Sequence, residues 1–447
     1  MSEPPHGSYK LLVRNALLIR MADRSEEAFV GYMAVDSGGK IALVAPGAPP
    51  PSVSAIENID ASGKIVLPGF VSAHSHLYQS AFRGIGANLN TGEWRKAVHV
   101  YSVPASDDDV FWFTLHGCLS HLVNGVTSAF NFSYNARRGD YNRTQLDAQI
   151  VSGMRFIHGF AQNRSIPLDE QYQSFLDYFD YARAFESHPS VLRLGITGSG
   201  QTMSDALFDK RLMDEFDALN QAHFLSEAYY ITRDGRRLGK EEVQANFSNF
   251  VESGTLGPTQ YFGHFIHTSD EMLEQTAAAG AGMSWQPLSN GRLGSGIADI
   301  PKYMKLGVRV GMGVDGEASG DIASPFENMR MGLYMIRATY GYASIMTPAE
   351  VLWLSTMGSA QLMGVENKVG SLEAGKYADF LIVTPPCPVF DAVATIVLAA
   401  NNADVDAVYV GGERALDHLK FTKVDSREVY RQVGVRIDRL KALGSAH

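Results

Sequence analysis

Pro68–Gln79 reads PGFVSAHSHLYQ, a short apolar run that ends in two histidines one residue apart. On an extended strand alternate side chains share a face, so His74 and His76 can approach one ion while Ser75 points away. Two imidazoles are half of a tetrahedral zinc site, with bonds of about 2.0–2.1 Å. By itself the pair reads equally well as two polar residues where a strand becomes a loop.

The run that carries them is one of eight. Similar stretches rich in β-branched residues begin at Gly69, Gly125, Met154, Val191, Ala222, Tyr261, Ala281 and Val308, and each leads through Gly, Ser or Asn into a helical pattern. Their spacing, mostly about 20 to 40 residues, is that of a strand plus a returning helix, and eight such units predict an α/β fold, a (β/α)8 barrel. The two ends of the chain differ from this middle. YKLLVRNALLI, GYMAV and KIALVAPG, the last two separated by Asp36-Ser37-Gly38-Gly39, read as strands and a hairpin turn, and GKYADFLIVTP and DVDAVYVGGERAL repeat the pattern near the other end. The expected organisation is a small β-sandwich built from residues 1–66 and 366–447, the latter ending in a helix packed on the outside, around a barrel at 67–365.

Composition narrows the classes of function. A chain of 447 residues with 45% hydrophobic side chains can bury a large core. A formal charge of -10, with no long Lys/Arg block, offers nothing general to nucleic acid or anionic lipid. Cys118 and Cys387 are too few and too far apart for a disulfide framework or a thiolate metal site, the start MSEPPHGSYK is polar and lacks the apolar core of a signal peptide, and no apolar run of about 20 residues suggests a membrane span. These features predict a cytoplasmic protein that acts on a small molecule.

In a barrel of this kind chemistry sits where the strands end, and His74, Glu227, His264 and Asp315 all fall there. Asp315 closes the eighth run in GVRVGMGVDGEASGD, across the barrel mouth from the first; the bland alternative is a turn-forming Asp before Gly316. Gly311, Gly313 and Gly316 match a dinucleotide-binding fingerprint in spacing, but EASGDIASP does not continue as the helix that fingerprint needs.

With these residues assembled, the chain resembles the amidohydrolase superfamily, in the branch of triazine hydrolases and of guanine, cytosine and adenosylhomocysteine-type deaminases. The similarity runs nearly end to end through PGFVSAHSHLYQ, GHFIHTSDEMLEQTAAAGAGMSWQPLSNGRLGSGIADI, GVRVGMGVDG and VGSLEAGKYADFLIV. It implies a metal-loaded barrel in which His74 and His76 are first-strand ligands and Asp315 is both ligand and base. It also implies that His264 polarises the substrate and Glu227 shuttles protons. The fourth run has no lysine to bridge two ions as a carbamate, so one divalent ion is expected, zinc first, with iron or manganese also suited to the donors. The resemblance further implies self-association. The reaction it implies is hydrolysis of a carbon–nitrogen bond in a small cyclic or heteroaromatic substrate, deamination before amide or amidine cleavage.

Two departures stand out. Relatives place a ligand histidine three residues before the glutamate, but here Phe224 occupies that place and His223 is one residue off. Counted on a regular strand this sends His223 to the opposite face, and a bulge could return it. Trp285 stands where a histidine is common, which predicts an aromatic wall in the pocket. The misplaced His223 keeps open a second reading, a lyase or isomerase working through Glu227, His264 and Asp315 without the ion; a barrel kept only as a scaffold is a third. His267 and His121 are read as structural, and Tyr78, Trp94, Trp112 and Tyr134 as residues that either line a flat pocket or fill the core, the core for most of them.

Overall fold

Five strands open the chain: β1 (Gly7–Leu18), β2 (Phe29–Val35), β3 (Ile41–Pro46), β4 (Val53–Asp60) and β5 (Ile65–Pro68). The computed structural model describes residues 7–24, 27–134, 140–224 and 240–444. The turn between β2 and β3 is the expected hairpin, with Asp36 Oδ1 accepting from the Gly38 and Lys40 backbone N–H groups at 2.8 and 2.9 Å. Alternation along β2 buries both faces: Met33 and Val35 join one apolar cluster, Tyr32 and Ala34 another.

The middle of the chain supplies β6 (Phe70–His76), β7 (Val126–Phe132), β8 (Arg155–Ala161), β9 (Gly195–Gly198), β10 (Leu219–Phe224), β11 (Gln260–His264), β12 (Gly282–Trp285) and β13 (Arg309–Met312). After Gly313 and Val314 the last of these resumes as β14 (Asp315–Gly316). All pair in parallel, in the order β13-β12-β11-β10-β9-β8-β7-β6-β14. Because β13 pairs with β12 while β14 pairs with β6, one continuous segment joins both edges of the sheet. That closes the (β/α)8 barrel. Gly313 permits the closure, since a Cβ there would lie 2.7 Å from the backbone N and O of His74.

The last strands, β15 (Phe380–Val383), β16 (Val405–Val410), β17 (Glu413–Asp417) and β18 (Lys420–Phe421), join β5 and β1–β3 in a second, mixed sheet, with β4 pairing off β1. Both ends of the chain therefore build the small sandwich beside the barrel. Among the described residues no helix is long and apolar enough to cross a membrane. The final helix, Ser426–Gly444, lies on the helix Asp107–Val123, with Arg436 paired to Asp108 and Arg439 to Asp109.

Barrel strands are buried on both faces, so their two side-chain rows have different partners. Val71, Phe130, Phe132, Ile157, Leu219 and Tyr261 fill the interior. Phe70, Val126, Ala222, Phe224, Phe262, Met283 and Trp285 face the helices. At the far end of β8, Arg155 Nε donates to Asp379 Oδ2 at 2.6 Å and Nη2 to Oδ1 at 3.0 Å, just before β15. Both side chains are buried, and Asp379 also accepts the Gly411 N–H at 2.7 Å. The pair ties barrel to sandwich, and removing one partner leaves a buried charge alone. Asp379→Ala should cost about 3–5 kcal/mol, measured as a fall in the denaturant midpoint, whereas a shift of a few tenths would show that the pair is dispensable.

Candidate metal centre

His74 and His76 reach the barrel axis through an irregularity in their own strand. Val71 and Ala73 both belong to the interior cluster, so simple alternation would turn His74 outward. Between Ser72 and Ser75, however, the pairing of β6 with β7 slips, with Ser72 opposite Ala129 and Ser75 opposite Asn131. This bulge inserts one residue and swings His74 and His76 inward together, while Ser72 and Ser75 bond to each other at 2.8 Å.

The fifth strand is the regular one. β10 pairs in unbroken register with β9 as far as Ala222 and with β11 through Phe224, which stands opposite His264. Its inward row is Leu219, Gln221 and His223. Phe224 points outward into Phe247, Phe250, Phe262 and Phe265. The expectation that a regular strand turns His223 away, to be rescued only by a bulge, is therefore incorrect: the register with β11 is unbroken, and His223 shares the inward face of Leu219 and Gln221. Glu227 itself falls outside the described residues.

Four imidazoles and one carboxylate meet at the mouth. His74 Nε2 and His76 Nε2 lie 3.4 and 3.3 Å from Asp315 Oδ1, His223 Nε2 lies 3.0 Å from His74 Nε2, and His264 Nε2 lies 3.7 Å from Asp315 Oδ2. His74 belongs to two close triads of donor atoms, one with His76 and Asp315, the other with His223 and His264. His264 and Asp315 carry left-handed backbones, with φ of 71° and 62°. Alternation along β11 would send His264 outward after Phe262; the left-handed residue breaks the alternation at the strand end.

Outer partners set which nitrogen faces in. His74 Nδ1 meets Gln221 Oε1 at 2.8 Å, His76 Nδ1 meets the Phe132 carbonyl at 2.7 Å and His264 Nδ1 meets Asn290 Oδ1 at 2.9 Å. Each partner is an acceptor, so Nδ1 carries the hydrogen and Nε2 presents a lone pair to the centre. Burial drives His74, His223 and His264 toward the neutral form, most strongly His223, where the neighbouring imidazoles add repulsion. Burial also opposes charge on Asp315, yet the crowding imidazoles outweigh it and hold the carboxyl well below the usual range. Lone pairs converging 3.0–3.4 Å apart on an ionised carboxylate fit a cation, since a tetrahedral site with bonds of about 2.0–2.1 Å has edges of about 3.3 Å.

The profile of the amidohydrolase family matches residues 65–415. This chain belongs to the amidohydrolase family. It is a hydrolase acting on carbon–nitrogen bonds. Among related sequences, a 5-methylthioadenosine/S-adenosylhomocysteine deaminase of Desulforudis audaxviator is 28% identical over 95% of this chain and 97% of its own. A 5'-deoxyadenosine deaminase of Methanobrevibacter smithii is 25% identical over 96% and 98%. Among solved structures, an adenosine deaminase of Xanthomonas campestris with bound zinc superposes with a TM-score of 0.86, at 18% identity over 98% of this chain and 100% of that one. The atrazine chlorohydrolase of Arthrobacter aurescens gives 0.83, at 21% identity over 96% and 100%.

One aromatic expectation does not hold, and for Tyr134 the pocket alternative is the one that does. Trp285 does not wall the mouth: it turns outward against Gly332, where a Cβ would sit 2.5 Å from its ring. Tyr134 is no core residue; it is 43% exposed, stacks on His76 with ring centroids 4.5 Å apart and bonds His223 through its hydroxyl. Tyr78 and Trp94 are buried, Trp94 Nε1 donating to the Ala318 carbonyl at 2.7 Å, while Trp112 packs under Arg436. His267 Nε2 donates to the Ser295 carbonyl at 2.9 Å. Gln221 and Asn290, which sequence reasoning missed, orient two of the imidazoles; Gln221 could have been found as the inward residue two before His223.

His121 bonds the Gly117 carbonyl at 2.8 Å and Ser75 Oγ at 3.0 Å, and burial pushes it down to about 4. His158 is pushed down to about 3 by the same cause. With unfolded values near 6.5, the unfolded chain binds more protons in acid. Urea titrations of the ion-free protein should thus show full stability above about pH 6.5 and a decline from there toward pH 4; a flat profile across that window would mean these rings are not buried neutral. His223→Ala should lower the bound metal counted by elemental analysis. Phe224→Ala should leave metal content intact and cost about 3–5 kcal/mol of stability, and the reverse pattern would show that the faces of β10 are misassigned.

Proposed function

We propose that this amidohydrolase deaminates a small amino-substituted heteroaromatic ring with one divalent cation, zinc in the first instance, held by His74, His76, His223 and Asp315. The observation that carries the reading is the convergence of Nε2 lone pairs on ionised Asp315 at tetrahedral-edge distances. Relatives named for adenosine-type substrates and a structural neighbour solved with zinc support it. A lyase or isomerase without the ion loses its motive, because His223 stands inside the cluster.

A cation in this nest supplies Lewis acidity, lowering the pKa of a water from roughly 15.7 to about 7. Asp315 accepts a proton from the attacking water as its oxygen bonds to the amino-bearing carbon. His264, its Nδ1–H anchored on Asn290, faces the reaction from beyond Asp315 and steadies charge growing on the ring. Glu227, four residues past His223, is assigned proton delivery to the ring nitrogen. Asp315 then returns its proton to the departing amine, the carbon–nitrogen bond breaks as the remaining hydroxyl proton passes to Glu227 and restores it, and ammonia leaves behind a ring carbonyl. Aromatic faces at Phe132 and Tyr134 suit a flat, uncharged ring.

The purified protein should contain about one zinc per chain and release ammonia from adenosine-type nucleosides or amino-triazines. Chelation should abolish this and added Zn(II) restore it. Asp315→Asn should lower the rate by at least about 10²–10⁴. A chain that releases ammonia undiminished after complete chelation would end the metal-dependent reading, and one that releases none from the whole panel would end the deaminase reading.

A further inference from the structure

Ala73 and His74 are the residues of the β6 bulge that have no partner opposite them in β7. Side chains hold both of their carbonyls. Ser72 Oγ donates to the His74 carbonyl at 3.0 Å, while Gln221 Nε2 and the Tyr261 hydroxyl both donate to the Ala73 carbonyl, at 2.8 and 2.9 Å. Gln221 comes from β10 and Tyr261 from β11, so two strands meet on one oxygen of a third. Because a carbonyl only accepts, the nitrogen of the Gln221 amide must face Ala73, which leaves its oxygen for His74 Nδ1 at 2.8 Å. Tyr261 is fully buried beside Phe130, with ring centroids 5.8 Å apart, and burial holds its hydroxyl in the protonated, donating form. The next inward residue of β11 is Gly263, where a Cβ would lie 3.2 Å from His223 Cδ2 and 3.4 Å from His74 Cε1. The missing side chain leaves room for the ligand rings on the mouth side of Tyr261.

We infer that Tyr261 is a positioning residue for the metal centre: together with Gln221 it pins the Ala73 carbonyl and so fixes the bulge that carries His74 and His76 to the cation. Its hydroxyl bonds the backbone one residue before His74 and acts on the ligand through that peptide. A bulged strand has one residue more than its neighbour can pair, and a buried carbonyl without a donor is costly enough to drive the adjoining peptide to rotate. Such a rotation swings the side chain that follows. Two donors on one oxygen close that route, which keeps His74 aimed at the centre with its Nδ1 on Gln221. The inference rests on the cation site proposed above.

The test is a chelator competition with Zn(II) on the full chain, comparing wild type with Tyr261→Phe, Gln221→Met and Asp379→Ala, each followed by melting of the ion-free protein. Tyr261→Phe keeps the buried ring and removes only the oxygen, so it should still melt cooperatively while binding Zn(II) about 10–100-fold more weakly. Gln221→Met also loses the bond to His74 and should be weakened at least as much. Asp379→Ala destabilises the barrel at its far end and should keep wild-type affinity. A Tyr261→Phe protein that melts lower yet binds Zn(II) as wild type does overturns the inference, by making the hydroxyl a matter of stability alone. Equal losses of affinity in Tyr261→Phe and Asp379→Ala overturn it too, by tracing the effect to general loosening. If wild type itself fails to bind Zn(II), the cation site beneath the inference falls with it; if wild type binds and Tyr261→Phe matches it, the inference alone fails.

Discussion

The closure of the barrel by its eighth strand is the constraint on which the rest of the site depends. β13 belongs to β12, β14 belongs to β6, and the short break at Gly313 and Val314 carries the chain from one edge to the other. That step puts Asp315 beside Ser75 in register and within 3.4 Å of both first-strand imidazoles. A side chain at position 313 would meet the backbone of His74, so the approach is available only to glycine. Residues some 240 positions apart thereby share one centre.

Backbone irregularities do most of the aiming. The bulge in β6 turns two histidines to the interior, and left-handed residues at His264 and Asp315 break strand alternation where it would have pointed those groups elsewhere. Such conformations cost of order 1–3 kcal/mol each and persist only where their surroundings hold them. Here the holding is done by the pairing of β14 with β6 and by the bond from the His264 N–H to Gln286 at 3.0 Å. The loops around the mouth are clamped as well. Arg83 pairs with Glu317, and Arg292 reaches Asp321 at 2.9 Å while donating to the carbonyls of Ile85 and Gly86.

The electrostatics follow from the same geometry. Lone pairs and a carboxylate gathered in a buried space repel unless a positive charge joins them, and each imidazole with a carbonyl behind it is oriented to receive one. An arrangement so unfavourable when empty is selected for what it holds. The amidohydrolase family membership and the hydrolytic reading of the site are two views of this one fact.

Much of the barrel and its mouth is legible in the amino-acid sequence alone. Strand runs followed by helical patterns announce eight βα units because backbone periodicity is a local property, and His74, His76, His264 and Asp315 stand at run ends where such barrels do chemistry. The face of His223 is not legible in the same way. Counting from Glu227 assumes unbroken alternation between the two, and only the register of β10 with its neighbours shows which face His223 takes. Nor could the sequence reveal that Trp285 turns to the helices or that Tyr134 meets His223, since both depend on packing between segments far apart in the chain. Residue types and their periodicity are written along one dimension; side-chain direction at strand ends is decided by the partners across the sheet.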